Sequence, residues 1–293
     1  MLQGERVVSV VIPTYNRAHL LERIVDSYLQ ENVLEVIFVD DASSDCTVSV
    51  LEKISSKKSR VRYIKLEHNS KQAAAKNAGI MEAKGRYVYF GDDDSYLVSG
   101  TISNLLSEYQ SGKYSLVAAR ALYLVEEGSA EYYRKEFKFI SSMRSLETNF
   151  SLEFEGVART SLAPACHLLG LEVAKQIMFD PNYKGNGFRE ETDFVVRVNA
   201  ATRRFPALCG AVAQINLPRS MSLGGAHQFG GAIYDYYMLK NTLYFLYKNR
   251  GILVGCDCER VSWRLVVGRV LINIVYTLDN VTIRQSTLLL HLR

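Results

Sequence analysis

Arg86-Tyr87-Val88-Tyr89-Phe90-Gly91-Asp92-Asp93-Asp94 is a short β-branched and aromatic run that breaks at a glycine and ends in three consecutive carboxylates. Its composition predicts a strand that delivers an anionic cluster to one place. Three crowded carboxylates repel one another until a cation or a proton offsets the charge, so the cluster asks for a hard metal ion. Oxygen ligands of this kind suit Mg²⁺ or Mn²⁺. Magnesium keeps most of its waters and takes one or two carboxylates plus substrate phosphates. On this reading Asp92 and Asp94 hold a metal that itself holds a diphosphate. The plain alternative is a turn, because Asp favours turns through its own backbone hydrogen bonds.

The segments before this stretch decide between the two. Val7-Val8-Ser9-Val10-Val11-Ile12 is a near-continuous apolar run, as in a strand covered on both faces, and Pro13-Thr14-Tyr15-Asn16 ends it. A helix is expected over Arg17 to Gln30. Glu35 to Val39 is the next buried strand, closed by Asp40-Asp41-Ala42-Ser43-Ser44-Asp45, with helical spacing from Thr47 to Ser56. Val61 to Leu66 is a third strand, and Lys71 to Lys84 an Ala-rich helix with Gly85 as its C-terminal glycine. Strand starts near 7, 35, 61 and 86 recur at the spacing of βαβ units, which predicts an α/β fold with a mostly parallel sheet between helices. Ligands bind at the carboxyl ends of such strands. Those ends carry Pro13 to Asn16, Asp40-Asp41 and Asp92-Asp93-Asp94, which favours function over a simple turn. No G-x-G-x-x-G follows the first strand and no G-x-x-x-x-G-K-[ST] occurs, so phosphates must be neutralised by metal and basic side chains rather than by a glycine cradle.

Pro13-Thr14-Tyr15-Asn16-Arg17, Val39-Asp40-Asp41-Ala42-Ser43-Ser44-Asp45, Lys76-Asn77-Ala78-Gly79 and Gly91-Asp92-Asp93-Asp94 resemble, in order and spacing, the motifs of family 2 glycosyltransferases of the GT-A fold. The resemblance covers roughly residues 6–200. It implies that Pro13, Tyr15 and Arg17 border the nucleoside of a nucleotide-sugar donor, a UDP-sugar above all. Asp41 would hydrogen-bond the base, Lys76 and Asp93 would lie beside the nucleotide, and Asp92 and Asp94 would match the D-x-D pair that takes Mg²⁺ or Mn²⁺. Many relatives have Arg where this chain has Lys76; Lys keeps the charge but loses the planar fork.

A second chemical stretch is Gly185-Asn186-Gly187-Phe188-Arg189-Glu190-Glu191-Thr192-Asp193-Phe194-Val195-Val196-Arg197. Carboxylates in a first helical turn are also plain helix design, since the N-terminal dipole stabilises them. The resemblance gives them a further meaning, because the stretch is similar to the acidic helix start that supplies the catalytic base in inverting relatives. Glu191 falls at the base position; Asp193 is the second choice, and Glu190 would support the base or bind acceptor. His227 is expected either at the surface or on a lid as a further metal ligand, and His167 as a packed residue near the acceptor cleft.

These readings divide the chain into a catalytic domain over 1–220, with the donor and metal side at 6–120 and the acceptor side and base at 121–220, and a C-terminal helical extension over 221–293. Within that extension, Ala232 to Asn249 reads as one helix, closed by Gly251 with Lys248 and Arg250 complementing its last turn, and Arg260 to Leu278 as another. The second has a wide apolar face of Trp263, Val266, Val267, Val270, Leu271, Ile274 and Leu278 flanked by arginines. A second helix, a partner subunit in a homodimer, or a membrane surface would cover it.

Composition bounds the rest. The chain has 293 residues, 48% of them hydrophobic, and 35 Lys and Arg against 31 Asp and Glu. That balance is too even to imply a nucleic-acid partner. Five scattered cysteines form no disulfide framework and suit a reducing compartment. No apolar run reaches the ~18–20 residues of a membrane span, and the first residues lack the pattern of a signal peptide. The expectation is a cytoplasmic or peripheral enzyme that moves a sugar from a nucleotide-sugar to a saccharide or lipid-linked acceptor. The rival expectations are a sugar nucleotidyltransferase and a non-catalytic carbohydrate-binding or scaffold protein.

Overall fold

The computed structural model describes residues 5–253 apart from 130, 134, 136, 137, 143–145, 219 and 222–230. Three strand-helix cycles come first: β1 (Val8–Thr14), α1 (Ala18–Tyr28), β2 (Val33–Asp40), α2 (Thr47–Lys57), β3 (Val61–Lys65) and α3 (Lys71–Glu82). β4 (Tyr87–Phe90), β5 (Ser95–Leu97), α4 (Thr101–Gln110) and β6 (Val117–Tyr123) follow. An excursion carries β7 (Ser141–Ser142), β8 (Glu147–Thr148) and β9 (Val157–Arg159). The chain then returns through β10 (His167–Gly170), α5 (Leu171–Ile177), α6 (Glu190–Thr202) and β11 (Ala207–Asn216) to α7 (Gly231–Lys248) and α8 (Arg250–Leu253).

The main sheet runs β3-β2-β1-β4-β10-β6-β11-β5, with β9 paired to β11 and with β7 and β8 forming a separate hairpin. β1, β2, β3 and β4 are mutually parallel, as their spacing requires, and β6 is parallel to β11. β10 is antiparallel to both β4 and β6. The result is a mostly parallel α/β sheet. Val10, Ile12, Val36 and Phe38 bury one of its faces with Leu21, Ile24, Leu51, Ile102 and Leu105 of α1, α2 and α4. Val11, Ile37, Val39 and Phe90 bury the other with Ala75, Ile80, Ala174 and Phe194 of α3, α5 and α6. The continuous apolar runs of β1 and β2 are explained by this burial from both sides.

Two helix ends differ from the sequence expectation. α3 stops at Glu82 with Ala83 in an extended conformation, and Gly85 is not a left-handed cap. A Cβ on Gly85 would sit 2.6 Å from the Ser9 backbone N and 2.7 Å from the Val7 carbonyl, so glycine is needed there to let the chain cross the start of β1. At the other end Gly251 does not close the helix, because α8 continues through it; Lys248 does stand in the last turn of α7, with its ammonium on Asp180 and Asp193, and Arg250 Nη1 donates to the Tyr247 carbonyl there at 2.8 Å. Residues 254–293, including the arginine-flanked apolar face at 260–278, lie outside the described residues. Among the described residues no helix is long and apolar enough to cross a membrane.

Candidate active site

The carboxyl ends of β1, β2 and β4 meet on one side of the sheet, and their loops are tied together. Asn16, at φ +54°, accepts hydrogen bonds at Oδ1 from the backbone N–H groups of Ser44 and Asp45. The Arg17 N–H donates to Thr47 Oγ1 at 2.9 Å. Asp40 is fully buried and accepts from the Ser43 N–H. Asp41 accepts from the backbone N–H of Ser70 at 2.6 Å and of Lys71 at 2.8 Å; burial nevertheless leaves its carboxyl above the usual range. Pro13 lies opposite Val39 within β1, and Tyr15 is partly buried just past the strand end.

The acidic turn after β4 is built against α1. A Cβ on Gly91 would come within 2.8 Å of the Tyr28 ring, so glycine lets the strand end pass beneath that tyrosine. The Tyr28 hydroxyl donates to the Asp92 carbonyl at 3.0 Å and lies 2.8 Å from Ser95 Oγ. Asp92 Oδ2 accepts from the buried Cys166 thiol, and Asp93 Oδ1 accepts from Arg17 Nε at 3.3 Å. Burial, and then the charge of Asp94, push the Asp92 carboxyl up, and the same two causes push Asp93 up to about 7. Arg17 and Lys76 therefore do not balance the triplet. An excess of negative charge at a partly exposed turn is the electrostatic condition that a divalent cation relieves. Among the described residues no three His, Cys, Asp or Glu side chains converge as a metal cage.

α3 and α6 face this turn. Lys76 is 0% exposed, and its Nζ donates to Glu191 Oε1 at 3.0 Å and lies 3.6 Å from Glu190 Oε1. It also sits over the Phe179 ring, 4.9 Å from the centroid. Burial disfavours its charge, but Glu191, Glu190 and Asp92 outweigh that and hold the ammonium well above its ordinary range. Gln72 Nε2 donates to the same Glu191 oxygen at 3.0 Å. Glu190 is buried at 3% side-chain exposure. Its Oε1 has no hydrogen-bond partner among the described residues, and burial and the neighbouring Glu191 raise its carboxyl to about 8.

That value has a measurable consequence. From about the ordinary 4.5 up to about 8, the folded chain holds a proton on Glu190 that the unfolded chain has lost, so this group lowers stability as pH rises through the window. Glu190→Gln removes the penalty. Its melting temperature should gain on the wild type as pH goes from about 5 to about 8, read by differential scanning fluorimetry. A constant gap would mean that the carboxyl is ionised in the fold throughout.

Asp193 lies elsewhere. Its carboxylate is 0% exposed and accepts from Arg197 Nε at 2.7 Å, Lys248 Nζ at 2.9 Å and Asn249 Nδ2 at 2.8 Å. Lys248 also pairs with Asp180 at 2.5 Å and, against partial burial, holds that carboxyl down to about 2. This network joins α6 to the end of α7. His167 is fully buried, with its ring N–H donating to the Pro164 carbonyl and its face stacked on Phe194. Burial lowers it to about 4, so it stays neutral. His227 is outside the described residues. Three contributors carried no sequence signal: Cys166 and Tyr28 at the acidic turn, and Gln72 at Glu191. Cysteine, tyrosine and glutamine are ordinary fold residues until the tertiary structure brings them to a carboxylate.

Residues 9–161 match the family model described as glycosyl transferase family 2. The chain belongs to that family. The family is described as glycosyl transferases, which favours the sugar-transfer reading over the nucleotidyltransferase and scaffold ones. A Campylobacter jejuni GalNAc(5)-diNAcBac-PP-undecaprenol beta-1,3-glucosyltransferase is 37% identical over 164 residues, covering 53% of this chain and 52% of the relative. An Escherichia coli UDP-Glc:alpha-D-GlcNAc-diphosphoundecaprenol beta-1,3-glucosyltransferase is 36% identical over 109 residues, covering 36% of this chain and 43% of the relative. The glycosyltransferase chain thus spans about half the length of these curated relatives or less. Among solved structures, S. aureus TarS in complex with UDP-GlcNAc superimposes with a TM-score of 0.56 at 17% identity, covering 91% of this chain and 81% of that one. That likeness shows the GT-A fold.

Proposed function

We propose that this glycosyltransferase takes a sugar from a UDP-sugar and places it, with inversion, on a saccharide carried by a polyprenyl diphosphate. The donor class is supported by the UDP-Glc and UDP-GlcNAc named for a relative and a fold neighbour. The acceptor class is supported by the undecaprenol-linked acceptors named for both relatives. The observation that carries the mechanism is the contrast in the first turn of α6. Glu191 is 25% exposed, against 3% for Glu190 and 0% for Asp193, so it is the carboxylate there that an acceptor hydroxyl can reach.

On this reading Asp92 and Asp94 hold Mg²⁺ or Mn²⁺, which when bound supplies charge stabilisation to the diphosphate. Asp93 is fixed by Arg17, and the loops after β1 and β2, with Pro13, Tyr15 and Asp41, border the nucleoside. Glu191 takes the acceptor's hydroxyl proton as its oxygen attacks the anomeric carbon. The bond from that carbon to the diphosphate oxygen breaks in the same step, and UDP leaves. Attack from the face opposite the leaving group inverts the anomeric centre.

The test is a thermal-shift screen of UDP, GDP and dTDP with Mg²⁺, Mn²⁺ or EDTA. It is followed by transfer from UDP-glucose and UDP-N-acetylglucosamine to a GlcNAc-diphosphopolyprenol, read by mass and NMR. Stabilisation by UDP that needs the metal, with a β-linked product, is expected. Stabilisation by another nucleotide alone would remove the donor assignment.

A further inference from the structure

Lys76 was expected beside the nucleotide, yet its placement points to the other substrate. Its ammonium has no exposed surface, so no face of it is open to a phosphate. One N–H is used on Glu191 Oε1 at 3.0 Å, Glu190 lies 3.6 Å away, and the Phe179 ring closes a further side. Gln72, one helical turn before Lys76 on α3, donates to the same Glu191 oxygen at 3.0 Å. Residues four apart share a helix face. Both donors therefore approach from α3 and grip Oε1, whereas Oε2 has no partner among the described residues.

We infer that Lys76 and Gln72 are positioning residues for the Glu191 carboxylate, holding Oε1 so that Oε2 faces the acceptor hydroxyl. The inference rests on the assignment of Glu191 as base. It also explains why a lysine suffices at this position. A point charge reaching one carboxylate oxygen from within the fold needs no planar fork, whereas a bidentate diphosphate contact would favour arginine. A further consequence concerns rate. A base held by two donors keeps one rotamer, and a displacement of about 1 Å at a reacting group costs a factor on the order of 10².

The experiment separates the base side from the donor side. Lys76→Met keeps the side chain's length and apolar stem, and Gln72→Ala changes an exposed residue whose loss leaves the core intact. UDP affinity is measured by calorimetry with Mn²⁺, turnover with UDP-glucose and GlcNAc-diphosphopolyprenol, and folding by melting temperature. The expected result, at saturating Mn²⁺ so that the lost Lys76 charge near Asp92 does not limit metal loading, is no weakening of UDP affinity or donor KM in either variant. kcat should fall by a factor on the order of 10² for Lys76→Met and about ten-fold for Gln72→Ala, as for one lost hydrogen bond to a charged group. Loss of UDP affinity by a factor on the order of ten in folded Lys76→Met, as for a lost charge-assisted phosphate contact, would overturn the inference. An unchanged kcat in Gln72→Ala would overturn it independently, even if Lys76→Met failed to fold. Glu191→Gln run alongside tests the reading beneath: full transfer by that variant removes the base assignment itself, while the donor-affinity result for Lys76 still reports which substrate it serves.

Discussion

Asp94→Ala is expected to abolish sugar transfer and to remove the metal-dependent part of UDP binding. The cation that the acidic turn is suited to hold would lose a direct oxygen ligand, and charge stabilisation by such an ion contributes several kcal/mol in the transition state. That corresponds to a fall in turnover on the order of 10³ or more. Melting temperature separates this from unfolding, because the Asp94 charge is, after burial, a cause of the raised carboxyls of both Asp92 and Asp93. Removing it lets those two ionise more easily, so the melting temperature should hold or rise. Calorimetry with UDP separates the effects: the wild type should lose affinity when EDTA replaces Mn²⁺, and the variant should bind equally weakly in both. Full turnover in the variant with Mg²⁺ or Mn²⁺ would remove the metal assignment.

The first half of the fold was legible because its signals are local. β1, β2 and β4 are apolar runs that end in polar turns, and parallel order follows from the helices between them. The second half depends on contacts far apart in sequence. β10 has only four residues, His167-Leu168-Leu169-Gly170, and nothing in them says that they insert antiparallel between β4 and β6. β11 carries a register shift between Cys209 and Ala213, which obscures alternation along the strand. The site divides in the same way. A run of aspartates after a strand is visible in one dimension, as is an acidic first helical turn. That Lys248 reaches back from α7 to Asp180 and Asp193, or that Lys76 points to Glu191, depends on tertiary packing alone. Residue type could therefore nominate Glu190, Glu191 and Asp193 together, while only burial distinguishes them.

That distinction yields the second large effect. Glu191→Gln keeps the shape of the side chain and both donors from α3, but removes the group that accepts the proton. Transfer should fall by a factor on the order of 10²–10⁴ while UDP affinity stays unchanged. Asp193→Asn should behave differently, because its carboxylate is 0% exposed and receives Arg197, Lys248 and Asn249. Neutralising it leaves two cations facing an amide in a buried site, and breaking a buried ion pair from one side costs about 3–5 kcal/mol. The melting temperature should drop, and whatever fraction remains folded should keep its kcat. Comparing kcat per folded molecule with melting temperature thus assigns the two carboxylates to separate tasks, Glu191 to chemistry and Asp193 to fastening α6 against α7. A stable but inactive Asp193→Asn beside an active Glu191→Gln would exchange them. The acceptor would then have to enter through the contacts that Lys248 and Asn249 now fill.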